Sequence, residues 1–220
     1  SKGTMIRKKF TVIFAKTLLV CFIALVVIGG CAGYGIYKGI IDSAPENIDA
    51  TPTGYLSTVL DAEGNETATL VASGSNRVYV TIDEIPLNLQ HAFVAIEDAR
   101  FYEHNGVDLT GIIRAGITGL TSGHFSQGAS TITQQLLKNN VFTGWTSETS
   151  FADKLERKIQ EQYLAVQLEK TEDKEWILEN YLNTINLGQN TLGVQAASKR
   201  YFNKDVSELT LSECAVIAGI

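Results

Sequence analysis

Three hydrophobic patterns follow one another along the chain. The first is Thr17 to Tyr37, a run of 21 residues without charge, bounded by Lys16 and Lys38. At about 1.5 Å per residue a helix of this length crosses a hydrocarbon core of about 30 Å, which predicts one transmembrane helix. The second pattern is β-prone: Ser57 to Leu60 and Thr67 to Val71 flank Asp61-Ala62-Glu63-Gly64-Asn65 and predict a hairpin, and Arg77 to Ile82 is a further β-prone piece. The third begins at Pro86, a residue suited to a first helical position. Apolar residues then recur at spacings of three and four, as Leu89, Phe93 and Ile96 do, and predict a succession of helices. No glycine-rich phosphate loop follows a strand, and strands do not alternate with helices, which argues against a nucleotide-sugar enzyme of the doubly wound kind. The expected architecture is mainly α. It has a basic tail over 1–16, a transmembrane helix over 17–37, a linker with a small β element over 38–85 and a helical domain over 86–220.

Charge sharpens this picture. The whole chain has 18 basic and 24 acidic residues, but the first 40 residues hold six basic residues and no acid, leaving 12 basic against 24 acidic in the remainder. Basic residues crowd the N-terminal flank of the apolar run, and Asp42, Glu46 and Asp49 follow it. The positive-inside rule therefore places the N-terminus in the cytoplasm and the body outside, in the single-pass type II arrangement. A cleaved leader would carry an apolar region of only about 7 to 15 residues, shorter than this one. The acidic body argues against nucleic acid as a partner. Cys21 and Cys31 lie in the membrane run, Cys214 stands alone, and His91, His104 and His124 are scattered, so no disulfide framework or metal-ligand spacing is expected.

Candidate chemistry gathers in five stretches of the helical region. Glu97 falls in the last turns of the helix that begins at Pro86, and Gly106 marks the exit from the polar turn after it. Packed beside Ile96 and Phe101, Glu97 would lose hydration and could take a proton near neutral pH. In the second stretch Ser130 can cap a helix on which Thr131, Gln134, Gln135 and Lys138 form one polar stripe, an array that suits phosphate or sugar oxygens as well as a plain amphipathic helix. The third is a helix over Phe151 to Lys170. Its expected buried stripe is Leu155, Ile159, Tyr163 and Val166, with Arg157 and Glu161 one turn apart on a neighbouring face and Lys154 and Lys158 on roughly the same side. The fourth, Lys174 to Gly188, mostly builds core and offers Asn183 as a ligand to sugar or backbone. The fifth, Gly193 to Phe202, is a small-residue helix suited to close packing.

These five stretches, in this order and at these distances, resemble the glycosyltransferase domain of class A penicillin-binding proteins and their monofunctional relatives. The family's first motif resembles Glu97-Asp98 with Phe101, His104 and Gly106, and its second Gly128 to Asn139. The third resembles Arg157-Lys158 with Glu161, the fourth Ile177 to Gly188, and the fifth Gly193 to Phe202 followed by a helix over Leu209 to Ile220. The resemblance implies a lysozyme-like, mostly helical fold that polymerises lipid II into glycan strands at the outer face of the cytoplasmic membrane. Glu97 would be the principal catalytic carboxylate and Glu161 the second. Lys138, Arg157 and Lys158 would handle the pyrophosphate, with Ser130, Thr131, Gln134, Gln135 and Asn183 nearby. No cofactor is required, although a divalent cation, magnesium or manganese, could share the pyrophosphate charge. Lipid II, the growing strand and the membrane are the implied partners, with other cell-wall synthesis or division proteins as further ones.

Two positions depart from the family pattern. Gly128-Ala129 replaces the usual Gly-Gly, and Asp153 stands four positions before Arg157, where many members carry a basic residue. The chain has no Ser-x-x-Lys and stops within the apolar run Cys214 to Ile220, as expected of an N-terminal piece of a longer protein that could continue into a transpeptidase domain. The loop from Asn140 to Ser150 is expected to be mobile and to order over the donor. A glycan-cleaving enzyme of the same fold would need no pyrophosphate-binding cations. A non-enzymatic scaffold would need no pair of partly buried acids.

Overall fold

The computed structural model describes residues 2–55, 57–70, 77–122, 128–142 and 144–220. It divides into two units, Ser1–Ala44 and Pro45–Ile220. The first is helix α1, Lys2–Asp42, whose 27-residue segment Lys16–Asp42 contains a strongly apolar 18-residue stretch, none of it buried. A helix that is apolar on every side and buries none of it in protein has the composition of a membrane span.

In the second unit, strands β1 (Ser57–Leu60) and β2 (Glu66–Leu70) form the expected antiparallel hairpin. Asp61 closes the turn by accepting from the backbone N–H groups of Glu63 and Asn65. Arg77 to Ile82 does not become a third strand. The Asn183 carboxamide takes the place of a partner strand there, accepting from Val80 N at 3.0 Å and donating to Val80 O at 2.8 Å.

Seven α-helices follow among the described residues: α2 (Leu87–Glu97), α3 (Leu109–Ser122), α4 (Ile132–Asn140), α5 (Phe151–Thr171), α6 (Lys174–Thr184), α7 (Val194–Phe202) and α8 (Leu211–Ala218). This is the mainly helical architecture that the sequence resemblance implies. Helix α4 packs against α5 and α6, and α2 against α8. Around α4 the core is Leu136, Leu137, Leu164, Ile177, Leu178 and Leu182. Local signals start the helices. Thr131 caps α4 in a reciprocal box with Gln134, Ser150 caps α5 and Asp173 caps α6. The cap of α4 is thus Thr131 rather than Ser130, which stands one residue outside. The buried stripe of α5 is Glu161, Leu164, Ala165 and Leu168, while Leu155 is exposed, so the helix is rotated from the expected face and carries Glu161 into the interior. Helix α3 leaves Leu109, Ile113, Ile117 and Leu120 exposed.

Candidate active site

Helix α2 ends at Glu97, and the chain turns sharply through Asp98 into the loop that leads to Gly106. Asp98 is buried and accepts from two sides, 2.8 Å from His104 Nε2 and 3.0 Å from the backbone N–H of Ile132 at the start of α4. Gly106 N donates to His104 Nδ1, so the neutral ring carries its proton on Nε2, facing Asp98. Thr131 Oγ1 donates to Gly106 O at 2.7 Å and completes a clasp between the end of α2 and the beginning of α4. Gly106 adopts φ 89°, and a Cβ there would lie 2.6 Å from the Ala165 carbonyl, so glycine is required by both conformation and space. Phe101 is fully buried within this turn.

Glu97 itself is exposed, as is Ile96, which corrects the expectation of a dehydrated carboxylate. At the last position of α2 its side chain leaves the core that Phe93 and Phe101 fill. Glu97 Oε2 accepts from Gln135 Nε2 at 2.9 Å, which ties it to the exposed side of α4. The Tyr181 hydroxyl lies 3.5 Å from Gln135 Oε1, and burial, followed by the charges of Glu97 and Asp98, pushes this phenol well above its usual range. Glu97 lines a cleft of about 400 Å³ together with Arg100, Arg114, Gly128, Ser130 and Thr131.

A cationic cluster adjoins the cleft through Ser130. Lys158 Nζ donates to Ser130 Oγ at 2.9 Å and to Glu161 Oε2 at 2.8 Å. Arg157 Nη1 donates to the other oxygen of Glu161, and Arg157 Nε lies 2.8 and 2.9 Å from the two oxygens of Glu148. The Glu161 side chain is 0% exposed, so this acid is held in the interior by two cations rather than paired on a surface face. Burial alone would lower the pKa of Arg157, but Glu148 and Glu161 outweigh it and raise it. Lys138 Nζ sits 4.5 Å above the Trp145 ring. Burial first, then the nearby Lys158, hold Lys138 below the usual lysine range, while the charges of Glu161 and Glu97 act in the opposite sense. Lys138 therefore senses both carboxylates.

The structure thus brings together Glu97 with Gln135, and Lys138, Arg157 and Lys158 with Glu161 and Ser130. Thr131 and Gln134 are buried in the capping box and do not form an open polar stripe with Gln135 and Lys138. Asn183 is fully buried against Val80 and Glu179 O, and its carboxamide is occupied in holding the chain before α2. His91 is exposed, and His124 lies outside the described residues.

Arg100, Arg114, Trp145 and Glu148 complete the surroundings without having been singled out from sequence. Arg100 pairs with Asp108, whose carboxyl is held below the usual range against the effect of burial, chiefly by the Gly111 N–H and by Arg100. Arg114, on α3, had a legible signal: it is a basic residue in an otherwise uncharged helix that follows the Glu97 loop. Trp145 and Glu148 had none, because their positions depend on the path of the loop between α4 and α5.

The sequence model of the family described as Transglycosylase matches residues 63–220. Penicillin-binding protein 1A of Clostridium botulinum (strain Langeland) is 43% identical over 210 residues, which cover 93% of this chain and 24% of that protein. Penicillin-binding protein 1A of Escherichia coli K12 is 41% identical over 211 residues, covering 94% of this chain and 24% of the relative. For penicillin-binding protein 1A of Clostridium perfringens strain 13 the identity is 44% over 227 aligned positions, covering all of this chain and 31% of the relative. The chain spans about a quarter to a third of the length of these relatives.

Proposed function

The chain belongs to the transglycosylase family, and on that footing we propose that it polymerises lipid II into peptidoglycan strands, with Glu97 as the base. The observation that carries this reading is the pairing of an accessible carboxylate in a cleft with a three-cation cluster joined to the same cleft through Ser130. In the reaction the acceptor 4-hydroxyl gives its proton to the Glu97 carboxylate while its oxygen bonds to the donor's anomeric carbon. The bond from that carbon to the diphosphate oxygen breaks, and the diphosphate leaves with the electron pair. Gln135 donates to Glu97 and leaves its second carboxylate oxygen open to the acceptor.

Lys138, Arg157 and Lys158 stabilise the charge that develops on the departing undecaprenyl diphosphate. Such a leaving group requires cations more than a proton. Glu161 accepts from Arg157 and Lys158 in the interior and orients them, a role that its burial supports better than that of a proton donor to the leaving group. The carboxylates nearest these cations, Glu148 and Glu161, are occupied by Arg157 and Lys158, and no group of three or more potential ligands is found among the described residues. The donor set does not fit a magnesium or manganese ion held by the protein alone.

The membrane span and the charge asymmetry around it support a type II orientation with the body on the extracytoplasmic face, where a lipid-linked substrate is concentrated by the same bilayer. Further cell-wall synthesis or division partners, and a transpeptidase activity in a longer form of the protein, are part of this reading through the resemblance alone. The direct test is to incubate the detergent-solubilised chain with lipid II and separate the products by gel electrophoresis. A ladder of glycan polymers is expected. Release of disaccharide units from preformed strands, without polymerisation, would overturn the reading in favour of a glycan-cleaving enzyme.

A further inference from the structure

Between α4 and α5 lies an acid that the proposed chemistry does not use. Both oxygens of Glu148 approach Arg157 Nε, at 2.8 and 2.9 Å, and the Glu148 side chain is only 17% exposed. In the same turn, Trp145 lies with its face 4.5 Å from Lys138 Nζ and 6.0 Å from the Arg157 guanidinium. Two of the three cations assigned to the diphosphate are therefore already partnered by this short segment, one through a carboxylate and the other through an indole face. The third, Lys158, is 40% exposed and bonded to Glu161 and Ser130.

An anion and Glu148 cannot both approach Arg157 closely without repelling each other. A diphosphate brings more negative charge than a single carboxylate and can meet several of the cations at once. The turn Trp145–Ser147 contains no buried residue, so little apolar burial holds it in place. We propose that Glu148 is a resident counter-anion of the diphosphate site, occupying Arg157 until a diphosphate displaces it and carries Trp145 away from Lys138. The inference rests on the reading of Lys138, Arg157 and Lys158 as the diphosphate-binding set. Its consequence is a reduced apparent affinity, because part of each binding event goes into releasing the internal pair.

Trp145 reports the displacement directly. The chain contains two tryptophans, so a Trp176→Phe background leaves Trp145 as the sole emitter. Inorganic pyrophosphate is titrated into the detergent-solubilised full chain at constant ionic strength, with Trp145 emission followed. Saturable change is expected, and Glu148→Gln should bind pyrophosphate at least about fivefold more tightly, with its unliganded emission already shifted towards the bound value. Asp153→Asn, which removes an exposed acid from the first turn of α5, controls for the general loss of negative charge and should change affinity by less than about twofold. If the wild type binds pyrophosphate and Glu148→Gln binds it no more tightly, Glu148 is a brace for Arg157 and the displacement is refuted. If neither protein binds pyrophosphate, the assignment of the cations fails and the displacement falls with it.

Discussion

Glu97 and Asp98 are neighbours in the chain with opposite surroundings: Glu97 is exposed and accepts from Gln135, whereas Asp98 is buried between His104 and the N–H of Ile132. One peptide unit at the end of α2 thus separates the acid proposed as the base from an acid that fixes the turn beside it. Replacing Asp98 by Asn, with its oxygen kept where His104 Nε2 and Ile132 N converge, puts an NH2 in place of the other oxygen, where it faces the donor Nε2 of His104. Asp98→Asn is expected to destabilise the fold by about 1–3 kcal/mol, as for a buried hydrogen-bonding group left unpaired, and to lower turnover by displacing Glu97 from α4. Thermal unfolding followed by tryptophan emission, alongside turnover, checks both effects. A variant with unchanged stability would contradict the clasp.

Gly106 tests the same clasp from the other side. Its φ of 89° and the closeness of the Ala165 carbonyl leave no room for a methyl group. Gly106→Ala should cost at least about 2 kcal/mol, more than the conformational preference of glycine alone explains, because the backbone of α5 must also move. A melting temperature equal to that of the wild type would show that the loop can relax without α5.

With Lys138 in the proposed diphosphate-binding role, its lowered proton affinity gives binding an alkaline limb. Burial and Lys158 hold its pKa below the ordinary 10.5, and a bound diphosphate stabilises the protonated ammonium. Affinity is therefore complete at pH values below the pKa of free Lys138 and declines as the pH rises through it, before 10.5 is reached. In Lys138→Arg the guanidinium stays charged throughout, so the decline should disappear. Pyrophosphate calorimetry from neutral to alkaline pH distinguishes the two, and an identical decline in both proteins would place the titrating group elsewhere.

The elements legible in the sequence are those set by short-range signals. The 21-residue uncharged run, the hairpin around Asp61 to Asn65 and the end of α2 at Glu97 each depend on residues within a few positions of one another. The misplaced features depend on distant residues. Glu161 is expected on a face beside the buried stripe of α5, and the packing of α4 against α5 turns that face into the interior. Arg77 to Ile82 has β propensity but, among the described residues, only an isolated bridge from Arg77 to Tyr55, and Asn183, more than 100 positions away, satisfies Val80. The same contact decides between the two expected roles of Asn183, sugar ligand or backbone ligand: its carboxamide is bonded to backbone. The site residues found in sequence came from motif order. Trp145 and Glu148 lie outside those motifs in a loop whose course no local rule dictates.

The most direct test of Glu97 as the base is lipid II turnover by the detergent-solubilised chain, comparing wild type with Glu97→Gln, together with the thermal stability and pyrophosphate affinity of each. Because Glu97 is exposed, the amide should fold normally and leave pyrophosphate binding intact, yet polymer formation should fall by at least about a thousandfold. A Glu97→Gln protein that still polymerised at a rate close to that of the wild type would contradict the assignment and move the base to another group in the cleft.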